Sequence, residues 1–203
     1  MRSPKVRELG EAIKSLVSRP VTVAFPAKPA EIIEGYRGTP YYDEKTCIGC
    51  GACAQVCPAK AIDMADDITC SPPVRRFTVH YDVCIFCGHC ELNCTTKTGI
   101  RNSSEYDLAT LDRSSLFSSI EKQLVLCEGC GAIIAPRDHI LWTADRLGTK
   151  RFANPTLALV SDGTLGIVAE ATTDASDPAL RPNSVRVICA HCRRSTVVGE
   201  LWG

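Results

Sequence analysis

Two runs of cysteine carry the chemistry of this chain. Cys47, Cys50, Cys53 and Cys57 stand in CIGCGACAQVCP, and Cys84, Cys87, Cys90 and Cys94 stand in CIFCGHCELNC, the same C-x2-C-x2-C-x3-C spacing repeated after 37 residues. At this spacing three thiolates can curl around one corner of a [4Fe-4S] cube while the peptide N–H groups between them point at its sulfides. The fourth cysteine of each run is too far along the chain to close the same cube and ligates the neighbouring one. The spacing therefore assigns Cys47, Cys50, Cys53 and Cys94 to a first [4Fe-4S] cluster, and Cys84, Cys87, Cys90 and Cys57 to a second. That crossing ties the repeats into one pseudo-symmetric unit. Two other readings are weaker. A disulfide scaffold suits a short secreted chain, and nothing here resembles a signal peptide. Zinc has no use for a third and fourth cysteine at these offsets, repeated identically.

Two further C-x2-C pairs follow, Cys127 and Cys130 in LCEGCGA and Cys189 and Cys192 in ICAHCRR. Four thiolates in a tetrahedron suit a structural zinc ion; a rubredoxin-like iron and unmetallated thiols are the alternatives. Such a closed site has no open position for catalysis, so its expected job is docking. His191 lies between two of these cysteines and reads as a knuckle side chain. Cys70 lies outside every set and reads as a free thiol, and His80 and His89 read as residues near the clusters or on the surface.

The elements that must position these cysteines suggest an α+β chain. Val6, Leu9, Ile13, Leu16 and Val17 fall at helical offsets, predicting an amphipathic helix over 5–19 that Pro20 stops. Three prolines and two glycines keep residues 21–45 irregular, so 1–45 reads as a helix plus extended docking arm. Residues 46–108 form the cluster domain, with Ile62–Met64 and Phe77–Tyr81 as a hairpin and a short strand near Ile100. Ile48, Ile62, Ile85, Phe86 and Ile100 are the expected apolar wall around the cubes. Residues 109–126 read as a polar linker and 127–203 as a zinc-ribbon-like domain. Within the last, 138–147 reads as a helix, LALVSDGTLGIV as a hairpin turning at Asp162-Gly163, and each cysteine pair as a knuckle entered by an apolar strand.

Composition narrows the function classes. Net charge is zero with an isoelectric point of 6.9, which gives no support to a nucleic-acid surface. The longest apolar runs, such as Leu157–Val160, are far short of the about 20 residues a bilayer span needs. There is no phosphate-cradling glycine loop for a nicotinamide or flavin and no residue set that suggests a catalytic site.

The stretches FPAKPAEIIEGYRGTPYYDEKTCIGCGACAQVCPAKAI and VHYDVCIFCGHCELNC, with EYDLA after them, resemble the two-cluster ferredoxin subunit of respiratory complex I and its relatives in membrane-bound [NiFe]-hydrogenases. The C-x2-C pairs after that core are similar to the tail of the ferredoxin-like subunit of formate hydrogenlyase complexes. The resemblance implies a bacterial 2[4Fe-4S] ferredoxin-like fold and a non-catalytic, electron-transfer subunit bound on the cytoplasmic side of the membrane. Its implied partners are a small hydrogenase-like subunit and an electron donor module, with membrane contact only through partners or the N-terminal helix. A complex I-type subunit and a freely diffusing ferredoxin are the alternatives. The eight cluster cysteines match the family pattern one by one. The chain departs from it after Cys94, where Thr95 and Thr96 stand in place of the Pro58 and Ala59 that follow Cys57.

Overall fold

A computed structural model describes residues 5–19, 22–164 and 186–202. Pro20 and the second arm of the expected hairpin in LALVSDGTLGIV, beyond Thr164, lie outside the described residues. The chain divides into two compact units, Met1–Tyr36 and Arg37–Gly203.

The first unit holds one helix, α1 (Val6–Val17), close to the predicted span. Glu8 accepts a hydrogen bond from the Lys5 N–H at 3.2 Å, which satisfies one of the orphan donors of the first turn. No residue of α1 is buried, and Val6, Leu9, Ile13, Leu16 and Val17 are all exposed. Residues 22–36 have no regular element, as their proline content predicts.

The second unit begins with a strand that the sequence reading places inside the irregular arm. β1 (Pro40–Tyr42) pairs antiparallel with β4 (Ile100–Asn102), Tyr42 opposite Ile100. Between them run two single-turn helices, α2 (Ala52–Gln55) and α3 (His89–Leu92), one in each cysteine repeat. β2 (Ile62–Asp67) and β3 (Val74–His80) form the expected hairpin, longer than predicted, with Ile62 opposite Val79. Arg75 clamps its turn end with two bonds to the Asp66 carboxylate, 2.6 and 2.8 Å.

The expected linker over 109–126 is corrected here. Most of it is β5 (Phe117–Leu126), a ten-residue strand paired antiparallel with β3, followed by β6 (Ile133–Pro136). The sheet runs β2-β3-β5-β6, so the cluster hairpin and the first C-terminal cysteine pair share one sheet. Ile120, Lys122 and Leu124 of β5 face inward and are buried. An inward lysine breaks the apolar alternation that marks a half-buried strand, which is why the element does not read as one. The core packs Ile62, Phe77, Val79, Ile100, Ile120 and Cys53 together, with the Tyr42 and Phe77 rings 6.2 Å apart.

Helices cover the rest. α4 (Arg137–Leu147) lies on the predicted span, with Ile140 and Ala144 buried. The expected hairpin arm at Leu157 is instead α5 (Pro155–Thr164). Asn154 Oδ1 accepts from the Thr156 N–H at 3.1 Å, and proline at the first helical position costs no hydrogen bond, so Asn154-Pro155 starts a helix that outweighs the Asp162-Gly163 turn signal. Among the described residues no strand leads into Cys189: residues 186–189 are irregular and α6 (Ala190–Trp202) begins directly after.

Candidate metal centres

The cysteine repeats fold into matching backbones. Gly49 and Phe86, Gly51 and Gly88, and Lys60 and Lys97 occupy equivalent positions, and all six have left-handed φ, 69° and 52°, 82° and 77°, 51° and 64°. Gly51 and Gly88 cap α2 and α3, turning the backbone so that each third cysteine, Cys53 or Cys90, enters on the first helical turn. The fourth cysteine leaves just after the helix.

This geometry gathers the cysteines in a crossed pattern. Cys47, Cys50, Cys53 and Cys94 line one recess of about 330 Å³, part of it open to solvent, walled by Tyr42, Ile48, Phe77 and Ile100. Cys57, Cys84, Cys87 and Cys90 line a second of about 360 Å³, walled by Ile62, Val79, Ile85 and Phe86. Ile48, Ile62 and Ile100 of the expected apolar wall are buried; Ile85 is 61% exposed.

The surroundings of the sulfurs differ. At the first recess three hydroxyls reach them: Tyr42 to Cys53 at 3.9 Å, Thr95 to Cys50 at 3.2 Å and Thr96 to Cys94 at 3.4 Å. At the second, backbone N–H groups donate, Ala61 to Cys57 at 3.2 Å and Phe86 to Cys84 at 3.4 Å. Burial dominates the acidity of the free thiols, pushing Cys53 up to about 12 and Cys90 up to about 11. Burial raises Cys47 too, against the Gly49 N–H and the Lys122 ammonium. At Cys94 burial is outweighed by the Thr96 hydroxyl and the N–H groups of Ile100, Thr96 and Gly99, and its thiol is lowered. Part-buried sulfurs met by N–H and O–H donors are the surroundings an anionic iron–sulfur cube needs, so both ligand sets fit such a group.

The C-terminal cysteines also converge. The sulfurs of Cys127, Cys130, Cys189 and Cys192 all lie within 4.8 Å of one another, Cys130 and Cys189 at 3.8 Å. A zinc ion about 2.3 Å from four thiolates has sulfur to sulfur edges of ~3.8 Å. Four thiols this close do not ionise independently. The Cys189 N–H, 3.2 Å away, leads the donors that lower Cys127 to about 6, while hydrogen bonds that the Cys192 thiol donates to the Cys130 and Cys189 sulfurs push it up to about 12. A divalent cation at their centre would let all four ionise, so this set fits a metal as well. Cys127 and Cys130 sit on a hairpin turn, Gly131 N–H donating to the Cys127 carbonyl at 2.8 Å; Cys189 and Cys192 sit at the start of α6. Among the described residues, the first pair therefore has the expected knuckle entered by a strand, β5, and the second does not.

Cys70 is exposed in the β2–β3 loop, away from every set, and His80 bonds Asp63 at 3.0 Å on the surface of that hairpin. His89 and His191 are exposed. The sequence reading did not single out the hydroxyls of Tyr42, Thr95 and Thr96 or the lysine of β5. Thr95-Thr96 in place of Pro-Ala was the available signal.

The family model of the 4Fe-4S dicluster domain matches residues 46–98. This stretch is a 4Fe-4S dicluster domain. The chain is similar to NAD(P)H-quinone oxidoreductase subunit I of Gloeobacter violaceus, 30% identical over 53% of this chain and 53% of that protein. It is similar as well to formate hydrogenlyase subunit 6 of Escherichia coli, 30% identical over 59% of this chain and 64% of that protein. The chain thus spans about half the length of the first relative and under two thirds of the second. A solved structure of the membrane-bound sulfane sulfur reductase, an archaeal respiratory membrane complex, matches at 32% identity over 57% of this chain and 61% of that chain, with a TM-score of 0.40. Among the described residues no helix is long and apolar enough to cross a membrane.

Proposed function

We propose that the chain is a non-catalytic electron-relay subunit with two [4Fe-4S] clusters, one held by Cys47, Cys50, Cys53 and Cys94 and the other by Cys84, Cys87, Cys90 and Cys57. The carrying observation is the pair of recesses, each lined by three cysteines of one repeat and one of the other. A [4Fe-4S] cluster supplies a one-electron couple; the chain supplies ligands, an apolar wall and donors to sulfur. Cys127, Cys130, Cys189 and Cys192 hold one structural zinc in this reading, closing α6 onto the β5–β6 turn.

The subunit works in a membrane-associated [NiFe]-hydrogenase complex of the formate hydrogenlyase kind, on the cytoplasmic side, between an electron donor module and a small hydrogenase-like subunit. Similarity to formate hydrogenlyase subunit 6 supports that setting. Similarity to a quinone oxidoreductase subunit supports a second reading, a complex I-type ferredoxin subunit. Val6, Leu16 and Val17 of α1, each more than 80% exposed, favour a subunit with neighbours over a freely diffusing carrier, because soluble monomers rarely leave such a stripe bare.

The test is metal and sulfide analysis with paramagnetic resonance on the full chain purified without oxygen. About eight iron, eight sulfide and one zinc per chain are expected from these ligand sets, with two paramagnetic centres on reduction. Iron without sulfide, or a single centre, would overturn the reading.

A further inference from the structure

The two recesses hold like sets of ligands in unlike electrostatic surroundings. Lys122 is 6% exposed, and its Nζ donates to the Glu44 carbonyl at 2.5 Å and to Asp138 Oδ2 at 2.9 Å. Its stem lies against the Cys47–Cys50 loop: a Cβ built on Gly49 would stand 3.2 Å from Lys122 Cβ and Cγ. Burying an ammonium is costly, and this one has a single carboxylate partner that is itself 45% exposed. The hydroxyls of Tyr42, Thr95 and Thr96 add three donors at the same sulfurs.

The second recess has no counterpart among the described residues. The hydrogen bonds described at Cys57 and Cys84 come from backbone N–H groups. The nearby cation, Arg37, donates to the Cys87 carbonyl at 2.7 Å from an exposed position, where solvent screens it. Glu91 stands beside Cys90, its carboxylate on Asn102 at 2.5 Å, and adds a negative charge.

Reduction adds one negative charge to a cluster, so positive charge and donors to sulfur favour the reduced form, and a nearby carboxylate disfavours it. We propose that the site of Cys47, Cys50, Cys53 and Cys94 has the higher reduction potential of the two, and that Lys122 with the hydroxyls of Tyr42, Thr95 and Thr96 sets this order. An electron placed on the chain then rests at the first site, on the side of β5 and β6. The proposal rests on both sites holding clusters, as inferred above. Lys122 and the hydroxyls act through the ligands and are positioning residues.

The test is a redox titration of the full chain without oxygen, followed by paramagnetic resonance, with iron and sulfide measured on each sample. Lys122→Met keeps the apolar stem and removes the charge. It should lower the higher of two midpoints by a shift equivalent to at least a tenfold change in the equilibrium, about 59 mV for one electron, and leave the lower midpoint in place. Thr95→Val should shift the same midpoint down by less. Asp138→Asn, which removes the opposing charge, should shift it up. Opposite signs from Lys122 and Asp138 separate a charge effect from loosened packing, because admitting water stabilises the more highly charged reduced form and would move the midpoint up in both variants. Should Lys122→Met lose its clusters, Asp138→Asn and Thr95→Val decide between them. Two clusters in the wild type with both midpoints unmoved, or with the lower one moved, would overturn the order proposed here and leave the relay reading intact. A wild-type chain with no sulfide would overturn both.

Discussion

The first cysteine repeat is enclosed and the second is open, although their spacing and backbone turns agree. Ile48 and Ile85 hold the same place after the first cysteine of each run, yet Ile48 is 7% exposed and Ile85 61%. Two residues after that cysteine, Gly49 meets Lys122 and Pro136, and Phe86 takes its place in the second copy. The difference comes from outside the repeats, from β5 and β6, which lay a sheet edge and a charged side chain against the first loop only. Ligand spacing thus fixes what each repeat can bind, and the later part of the chain decides what surrounds it.

The largest expected effect breaks the symmetry at the crossing. Cys57→Ala lies in the first repeat but removes a ligand from the second recess; Cys94→Ala does the reverse. Each should cost one cluster, about four of eight iron atoms. The surviving paramagnetic signal should differ between the two variants. If Cys57→Ala spares the cluster of Cys84, Cys87 and Cys90 and loses the other, each repeat ligates its own cube and the crossed assignment fails.

How much of this was legible depended on whether the signal was local. The cysteine runs, the β2–β3 hairpin, α1 and α4 each carry their period or spacing within a short window, and each stands where the sequence placed it. β1 is three residues long, starts at Pro40 and exists because it meets β4 some sixty residues away, so its own stretch reads as irregular arm. β5 was hidden by Lys122, a charge on the inward face whose partners, Glu44 and Asp138, stand 78 and 16 residues away in sequence. At the candidate centres the ligand types were readable. The donors were not, since Thr95 reaches Cys50 only once the fourth cysteine of the second run is brought to the first recess. The loss of proline after Cys94 was visible, and its use was not.

Importing the second repeat's residue into the first sharpens the comparison next. Gly49 has φ +69°, and Lys122 and Pro136 stand 3.2 Å from where its Cβ would be. Phe86 holds the same left-handed backbone with a full side chain, so conformation alone does not forbid Gly49→Phe. The obstacle is β5 and β6. Driving a ring between the cluster loop and this sheet edge should cost more than about 3 kcal/mol, beyond ordinary overpacking. The amides of β5 should lose protection from hydrogen exchange, whereas Phe86→Gly should leave them unchanged. Unchanged protection in Gly49→Phe would mean that the sheet does not enclose the first loop.

The smallest effect separates enclosure from ligation. Ile48→Ala removes a buried side chain from the wall of the first recess and should cost about 2–3 kcal/mol, the lower end for such truncations because the recess is partly open. Ile85→Ala removes an exposed one and should stay within about 0.5 kcal/mol. Unfolding by guanidinium, followed through loss of the cluster absorption, measures both. Because neither residue is a ligand, both variants should keep full iron and sulfide, so any difference reports packing around the two sites. Equal costs would show that Ile85 is packed within the chain as tightly as Ile48, and the contrast between an enclosed and an open repeat would fail.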